Sequence, residues 1–308
     1  MTNARLSLRC AGAAFVSMIM FGTAATLADP VTAQDDGIAL ERAPSGHLLM
    51  PVTIAGQGPF TFILDTGATH TAISAFVARQ LGFESEWEDI DDVQALTTRF
   101  EAERFALEAL QYGTEPPTRI HSVIIPVSDG QPGPVAGLLG VDAIRGDRYR
   151  MNFASARLLI DPAPPERADG SIDPSGLLVG EASLLRVRRP VHVMLDSGSA
   201  RTIANIPLRR LTGNGHMMLR TIEVGGIDGR DVEDADQLSL RQFRIGGLCF
   251  PALRVLQSDL DIFRHLGWRD EPAIVIGMDL LQYADVTVDR ESGSFQIEAA
   301  GPEFACND

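Results

Sequence analysis

The 308-residue chain contains no lysine, and all 26 of its basic residues are arginine. That absence excludes a Walker A lysine, a lysine Schiff base and a lysine general base. Basic runs are short, none longer than Arg188-Arg189 or Arg209-Arg210, while 41 Asp and Glu bring the formal net charge to −15. With no positive footprint to neutralise phosphates, nucleic acid is not expected as a partner. Beyond residue 27 no uninterrupted apolar run approaches the ~20 residues of a membrane span. Cysteine is scarce: Cys10, Cys249 and Cys306 are too widely spaced to build a zinc site. The six histidines, His47, His70, His121, His192, His216 and His265, form no HExxH pattern and no close His-Cys pair, so they read as surface or core residues. No metal and no other cofactor is expected. The acidic stretch 228–236 lacks the order of a calcium loop and reads as solvated, and Asp196-Ser-Gly-Ser-Ala200 is not a GxSxG elbow.

What is present begins with an export signal. Arg5 and Arg9 precede an uncharged apolar stretch, Ala11 to Leu27, and small residues follow. This is the order of a secretory signal peptide over residues 1–33, with cleavage after Ala28 or Ala33; left uncleaved, it would be a single N-terminal membrane tether. The lysine-free composition fits a biased bacterial genome, and the expected destination is periplasmic or secreted. Cys10 would leave with the signal. Cys249 and Cys306 then remain as an even pair in an oxidising compartment, where a disulfide between them is expected; the alternative is two separate thiols.

The rest of the chain repeats itself once. SGHLLMPVTIAGQGPFTFILDTGATHTAI from Ser45 aligns with SGLLVGEASLLRVRRPVHVMLDSGSARTIA from Ser175, and Asp65 and Asp196 are offset by 131. Gly137 to Ile144 answers Ile274 to Leu281, with Gly140 and Gly277 each followed two positions later by an Asp, Asp142 and Asp279. Both blocks then run into a strand, a turn and a strand. One duplication explains four matched blocks in the same order. The Pro-rich stretch from Asp161 reads as a linker, which gives two domains, 35–165 and 166–308.

Within each half the pattern is β, with short runs such as Phe60 to Leu64 and Pro190 to Leu195 punctuated by Gly, Pro and Asp. Helices are expected to be few: Thr71 to Leu81, and turns capped by Asp142 and Asp279. The Asp-Gly in Gly225-Gly-Ile-Asp-Gly-Arg230 predicts a tight hairpin with arms at Thr221 to Val224 and from Asp231.

An Asp closing a buried strand, followed by a hydroxyl residue and Gly, is placed in a turn where its carboxylate meets backbone N–H groups. One such tripeptide is an ordinary turn. Two at equivalent places in a duplicated block put two carboxylates face to face across a pseudo-two-fold axis. Like charges that close share a proton, and the pair then offers one base and one acid. Ser199, three residues after Asp196, carries a hydroxyl that could donate to that carboxylate, whereas Ala68 carries none; this predicts that the proton resides on Asp65. A carboxylate-pair glycosidase fits the two acids but not the duplication.

On Phe62-Ile-Leu-Asp-Thr-Gly-Ala68, Val193-Met-Leu-Asp-Ser-Gly-Ser199, Leu138-Leu-Gly140 and Val275-Ile-Gly277, the chain resembles a bacterial aspartic peptidase of the retropepsin-like group with two fused, pepsin-type lobes. The resemblance spans about residues 45 to 298. It implies an all-β fold of duplicated acid-protease barrels with a central cleft, few short helices and a hairpin flap. It also implies a polypeptide substrate and an endopeptidase whose water is held between Asp65 and Asp196. By the same resemblance Thr66, Gly67, Ala68, Ser197, Gly198 and Ser199 support the active-site loops, Thr66 and Ser197 locking them together, and Gly140 and Gly277 belong to the psi-loops. The flap candidates are Val93 to Phe105, and Thr221 to Val232 with Gly225, Gly226 and Gly229; neither contains the tyrosine of pepsin flaps. The second motif has Ser where Thr is commoner in the family. The alternative function is a catalytically silent pepsin-fold receptor or inhibitor that binds peptides, and retention of both Asp residues favours the enzyme. Arg186, Arg188 and Arg189 could meet an acidic substrate or guard an exposed strand edge.

Overall fold

The computed structural model describes residues 37–82, 89–97, 99–125, 135–212, 222–225 and 232–306. The expected signal segment, Gly226 and Gly229 lie outside them. The chain is mostly β, with short helices, in the pepsin-like all-β style.

Seven strands of an eight-stranded sheet, whose eighth is the short edge strand Glu41–Arg42, surround Asp65: β1 (Leu48–Ile54), β2 (Gln57–Leu64), β3 (Thr71–Ser74), β4 (Asp89–Gln94), β5 (Arg99–Tyr112), β6 (Thr118–Ile125) and β7 (Val135–Leu139). Seven more surround Asp196: β8 (Leu178–Ala182), β9 (Val191–Leu195), β10 (Ile203–Ala204), β11 (Ile222–Gly225), β12 (Val232–Ile245), β13 (Leu248–Gln257) and β14 (Ala273–Ile276). The pairing repeats strand for strand. β2 runs parallel to β7 as β9 does to β14, and β7 is antiparallel to β3 as β14 is to β10. Parallel pairs β3–β6 and β10–β13 follow, each continued by two antiparallel partners.

The sequence explains this layout. β1 alternates, burying Leu48, Met50, Val52 and Ile54 on one face, as a strand with one covered side should. β14 is apolar throughout and buried throughout, the composition of a central strand with parallel pairing. A hairpin from each half then joins the two: Arg148–Asn152 pairs antiparallel with Ala284–Asp289, Tyr149 opposite Val288 and Met151 opposite Val286. One apolar cluster runs through both halves, with Leu64 and Leu195 among its members.

Two helix expectations change. Thr71–Ser74 is strand, because its β-branched residues pair with β6 and β7, and helix α1 starts only at Ala75–Gln80, where the Ser74 hydroxyl accepts from the Val77 N–H. Neither Asp142 nor Asp279 caps a helix through its side chain. Asp142 lies in a turn, and Asp279 lies inside the short α2 (Met278–Leu281), whose N-cap is Gly277. In the second half, Cys249 on β13 is joined by a disulfide to Cys306, with Cα atoms 5.1 Å apart. No helix among the described residues is long and apolar enough to cross a membrane.

Candidate active site

Each Asp ends its strand in the same way. The Asp65 N–H donates to Leu139 O and the Asp196 N–H to Ile276 O, both at 3.0 Å. These bonds carry the β2–β7 and β9–β14 ladders one residue further and deliver the carboxylates to adjacent turns. Asp65 Oδ1 accepts the Gly67 N–H at 2.8 Å, and Asp196 Oδ1 accepts the Gly198 N–H at 2.8 Å and the Ser199 N–H at 3.1 Å. Glycine is required at both turns: a Cβ on Gly67 would stand 2.6 Å from Asp196 Cγ, and one on Gly198 would collide with the Asp65 carboxyl. Each motif's glycine is therefore the wall against which the other motif's carboxylate rests.

Thr66 and Ser197 bind each other's loop reciprocally. The Thr66 hydroxyl donates to Leu195 O at 3.0 Å and accepts the Ser197 N–H at 2.9 Å. The Ser197 hydroxyl donates to Leu64 O at 2.7 Å and accepts the Thr66 N–H at 3.0 Å. All four bonds are buried, where an unmade bond would carry the full cost of desolvation. Serine supplies everything the lock uses; the methyl that a threonine would add takes no part in it.

A second repeated relay was missed in the sequence. The Gly140 N–H donates to Thr71 Oγ1 at 3.1 Å, and that hydroxyl donates to Asp142 Oδ1 at 2.9 Å. Gly277, Thr202 and Asp279 repeat this at 3.1 and 2.6 Å. Asp142 and Asp279 thus anchor threonines. The signal was present, since both motifs carry Thr six residues after the Asp. Ala68 O and Ser199 O complete the loops by accepting the Val141 and Met278 N–H groups.

The two carboxyls are almost fully buried, at 4% and 3% exposure, each resting against the other motif's glycine. Burial raises the pKa of Asp65. For Asp196, burial and then the charge of Asp65 hold the proton well above the ordinary aspartate range. The premise for placing the proton on Asp65 is absent: the Ser199 hydroxyl donates to Arg201 O at 2.9 Å, and Asp196 accepts the Ser199 N–H instead.

One histidine stands beside the pair. His47 Nε2 lies 3.0 Å from Gly198 O, and Asp65 is the charge nearest in effect to its ring. It was not singled out in the sequence, although the repeat pairs it with Leu177. Of the flap candidates, the β4–β5 hairpin reaches the second half. The Gln94 side-chain amide donates to Asp261 Oδ2 at 3.2 Å, the Ile262 N–H donates to Leu96 O at 3.2 Å, and Leu96 packs on the cluster containing Leu260 and Phe263. The other hairpin has arms Ile222–Gly225 and Val232 onward, Gly225 facing Val232. Arg189 is ion-paired with Glu271. No cluster of three or more potential metal ligands occurs among the described residues.

No curated protein matches the chain. The sequence model of the aspartyl protease family matches residues 50–143, the stretch from β1 to the Gly140 loop that carries Asp65-Thr66-Gly67, and over that stretch the chain is similar to aspartyl proteases.

Proposed function

We propose that this chain is an aspartic endopeptidase whose Asp65 and Asp196 act together on one water, both supplied by the same polypeptide in two fused lobes. The observation that carries the reading is a pair of buried carboxyls at equivalent ends of a duplicated motif, each packed on the other's glycine and joined through the reciprocal Thr66–Ser197 bonds. The family match over the first motif points to the same chemistry.

In the singly protonated pair the ionised carboxylate takes a proton from the water as its oxygen attacks the scissile carbonyl carbon. The protonated carboxyl gives its proton to the carbonyl oxygen, forming a gem-diol. Collapse then breaks the C–N bond: the protonated carboxyl gives its proton to the amine nitrogen while the other carboxylate takes one from a gem-diol hydroxyl, whose oxygen becomes the new carboxyl carbonyl, and the pair again holds one proton. The Thr66–Ser197 lock sets the distance between acid and base, and the burial of both groups keeps the proton available above the ordinary aspartate range. Activity should follow a bell, lost at low pH when both carboxyls are protonated and at high pH when both are ionised. We also propose that residues 1–33 export the protein to the periplasm or beyond, where it meets polypeptide substrates.

Incubation of the mature chain with a peptide library across pH 3 to 7, with and without a statine-type inhibitor, tests this. Cleavage blocked by the inhibitor supports the reading. Tight peptide binding without products would replace hydrolysis by a receptor function.

A further inference from the structure

The duplicated motifs are built alike, yet among the described residues only the glycine of the second has a histidine hydrogen-bonded to its carbonyl. His47 lies in the loop before β1, and its Nε2 reaches 151 residues along the chain to Gly198 O. A carbonyl can only accept, so Nε2 carries the hydrogen. The other nitrogen, Nδ1, lies 2.9 Å from Ser45 Oγ. A hydroxyl can turn, donating to a neutral ring or accepting from a protonated one, so His47 keeps both bonds in either charge state. Its counterpart Leu177 is buried in an apolar cluster and has nothing to offer Gly67 O. His47 also precedes the stretch that matches the family, residues 50–143.

Gly198 is the glycine whose Cα rests against the Asp65 carboxyl. A hydrogen bond to its carbonyl therefore fixes the spacing between the Asp196 loop and Asp65 from one side only. We propose that His47 is a positioning residue that makes the two carboxyls unequal, holding the Asp196 loop through Gly198 and favouring the ionised form of Asp65, so that Asp65 serves as the base and Asp196 as the acid. This rests on the endopeptidase reading. The charged groups near His47 are Asp65, with Asp196 beside it, and Arg42, whose guanidinium donates to Gly46 O and Phe153 O. Burial holds the ring's pKa below its ordinary value, outweighing the Gly198 hydrogen bond and the charge of Asp65, which both raise it. As pH falls the ring gains charge beside Asp65, which keeps the base ionised to lower pH than two identical carboxyls would.

His47→Leu copies the residue of the other half, and His47→Gln restores a neutral donor. With His47→Leu, kcat should fall roughly tenfold, the size of one lost hydrogen bond to a reacting assembly, while KM stays within about twofold. The acid limb of kcat should move to higher pH, because Asp65 loses its favourable neighbour. With His47→Gln most of kcat should return but the limb should stay displaced, since an amide cannot charge. A purely structural role would lower kcat and thermal stability together and leave the limb where it was, and that outcome overturns the proposal. Titration of the Asp65 carboxyl by 13C NMR, identified by its loss in Asp65→Asn, reads the same displacement without turnover. If the wild type cleaves no peptide, the endopeptidase reading fails. An Asp65 titration unchanged by His47→Leu overturns the inference whether or not the protein cleaves.

Discussion

Asp65 and Asp196 stand in two copies of one loop, and the copies agree at the strand-end bond, 3.0 Å in both, and at the Gly N–H to carboxylate bond, 2.8 Å in both. The strand-end bond, the Gly N–H to carboxylate bond and the Gly–Thr–Asp relay each occur twice. One layer further out the copies part. The turn after Gly277 satisfies itself as a short helix, the Leu281 N–H returning to Gly277 O at 2.9 Å. The turn after Gly140 is held from outside, by the Tyr112 hydroxyl on Ala143 O and by the Arg290 guanidinium on the carbonyls of Val141, Ile144 and Gly146. The second copy carries a disulfide, and among the described residues only the first has a histidine at its neighbour's glycine. Geometry that acts on the carboxyls is doubled; support for that geometry is improvised separately in each half.

The comparison breaks most visibly at the carboxyls. Asp65→Asn and Asp196→Asn should each lower kcat/KM roughly a thousandfold, since each removes one acid–base function. A variant retaining a tenth of the activity would show that the copies are not joint partners in the reaction. Next in size is the disulfide of the second half. Replacing Cys249 and Cys306 by Ser should lower unfolding stability by about 4 kcal/mol, from a cross-link that spans 57 residues. Denaturant midpoints measured with and without reductant check the value.

The lock itself should be symmetric in energy although its residues differ. Thr66→Ala and Ser197→Ala each strand one buried N–H and one buried carbonyl, and each should cost about 3 kcal/mol. Urea unfolding that separates the two by more than about 1 kcal/mol would show that one half dominates. Ser197→Thr should change stability by less than that.

The smallest expected effect concerns pH. Both carboxyls hold their protons more tightly folded than unfolded. The stability this contributes is fully present below the ordinary aspartate pKa and is lost as pH rises through the folded value. Asp196→Asn, which cannot ionise, should therefore raise Tm by roughly a few degrees near pH 7 and give no gain near pH 3. Thermal melts at the two pH values test the sign.

Much of this architecture was legible because the duplication doubled every weak signal. Asp-Thr-Gly alone reads as a turn, but the pairing of Phe62 to Ala68 with Val193 to Ser199 located both strand ends and the reciprocal hydroxyls. The cysteines were legible for a different reason, as an even pair once Cys10 is assigned to the expected signal segment. What escaped were contacts between residues far apart in sequence. Nothing in Ser45-Gly-His47 announces that a ring will meet Gly198, and Ser199 looked like a donor to Asp196 until its hydroxyl was seen on Arg201 O. Thr71 to Leu81 was expected to be helical, but only Ala75–Gln80 is. The pairing of Thr71 with Ser122 of β6 holds the start of that stretch as strand.

Arg290 gives the molecule an order of completion. The carbonyls that it holds around Val141 to Gly146 lie 144 to 149 residues earlier in the chain, beside the Gly140 relay. On a ribosome or in a translocation channel, the first copy of the loop is made long before its clamp emerges. Until Arg290 has emerged, one of the two carboxyls rests on an unfinished support. A product truncated before Arg290 would lack the clamp altogether. Timing is thereby written into the topology: the first loop waits for a residue made up to 149 positions later.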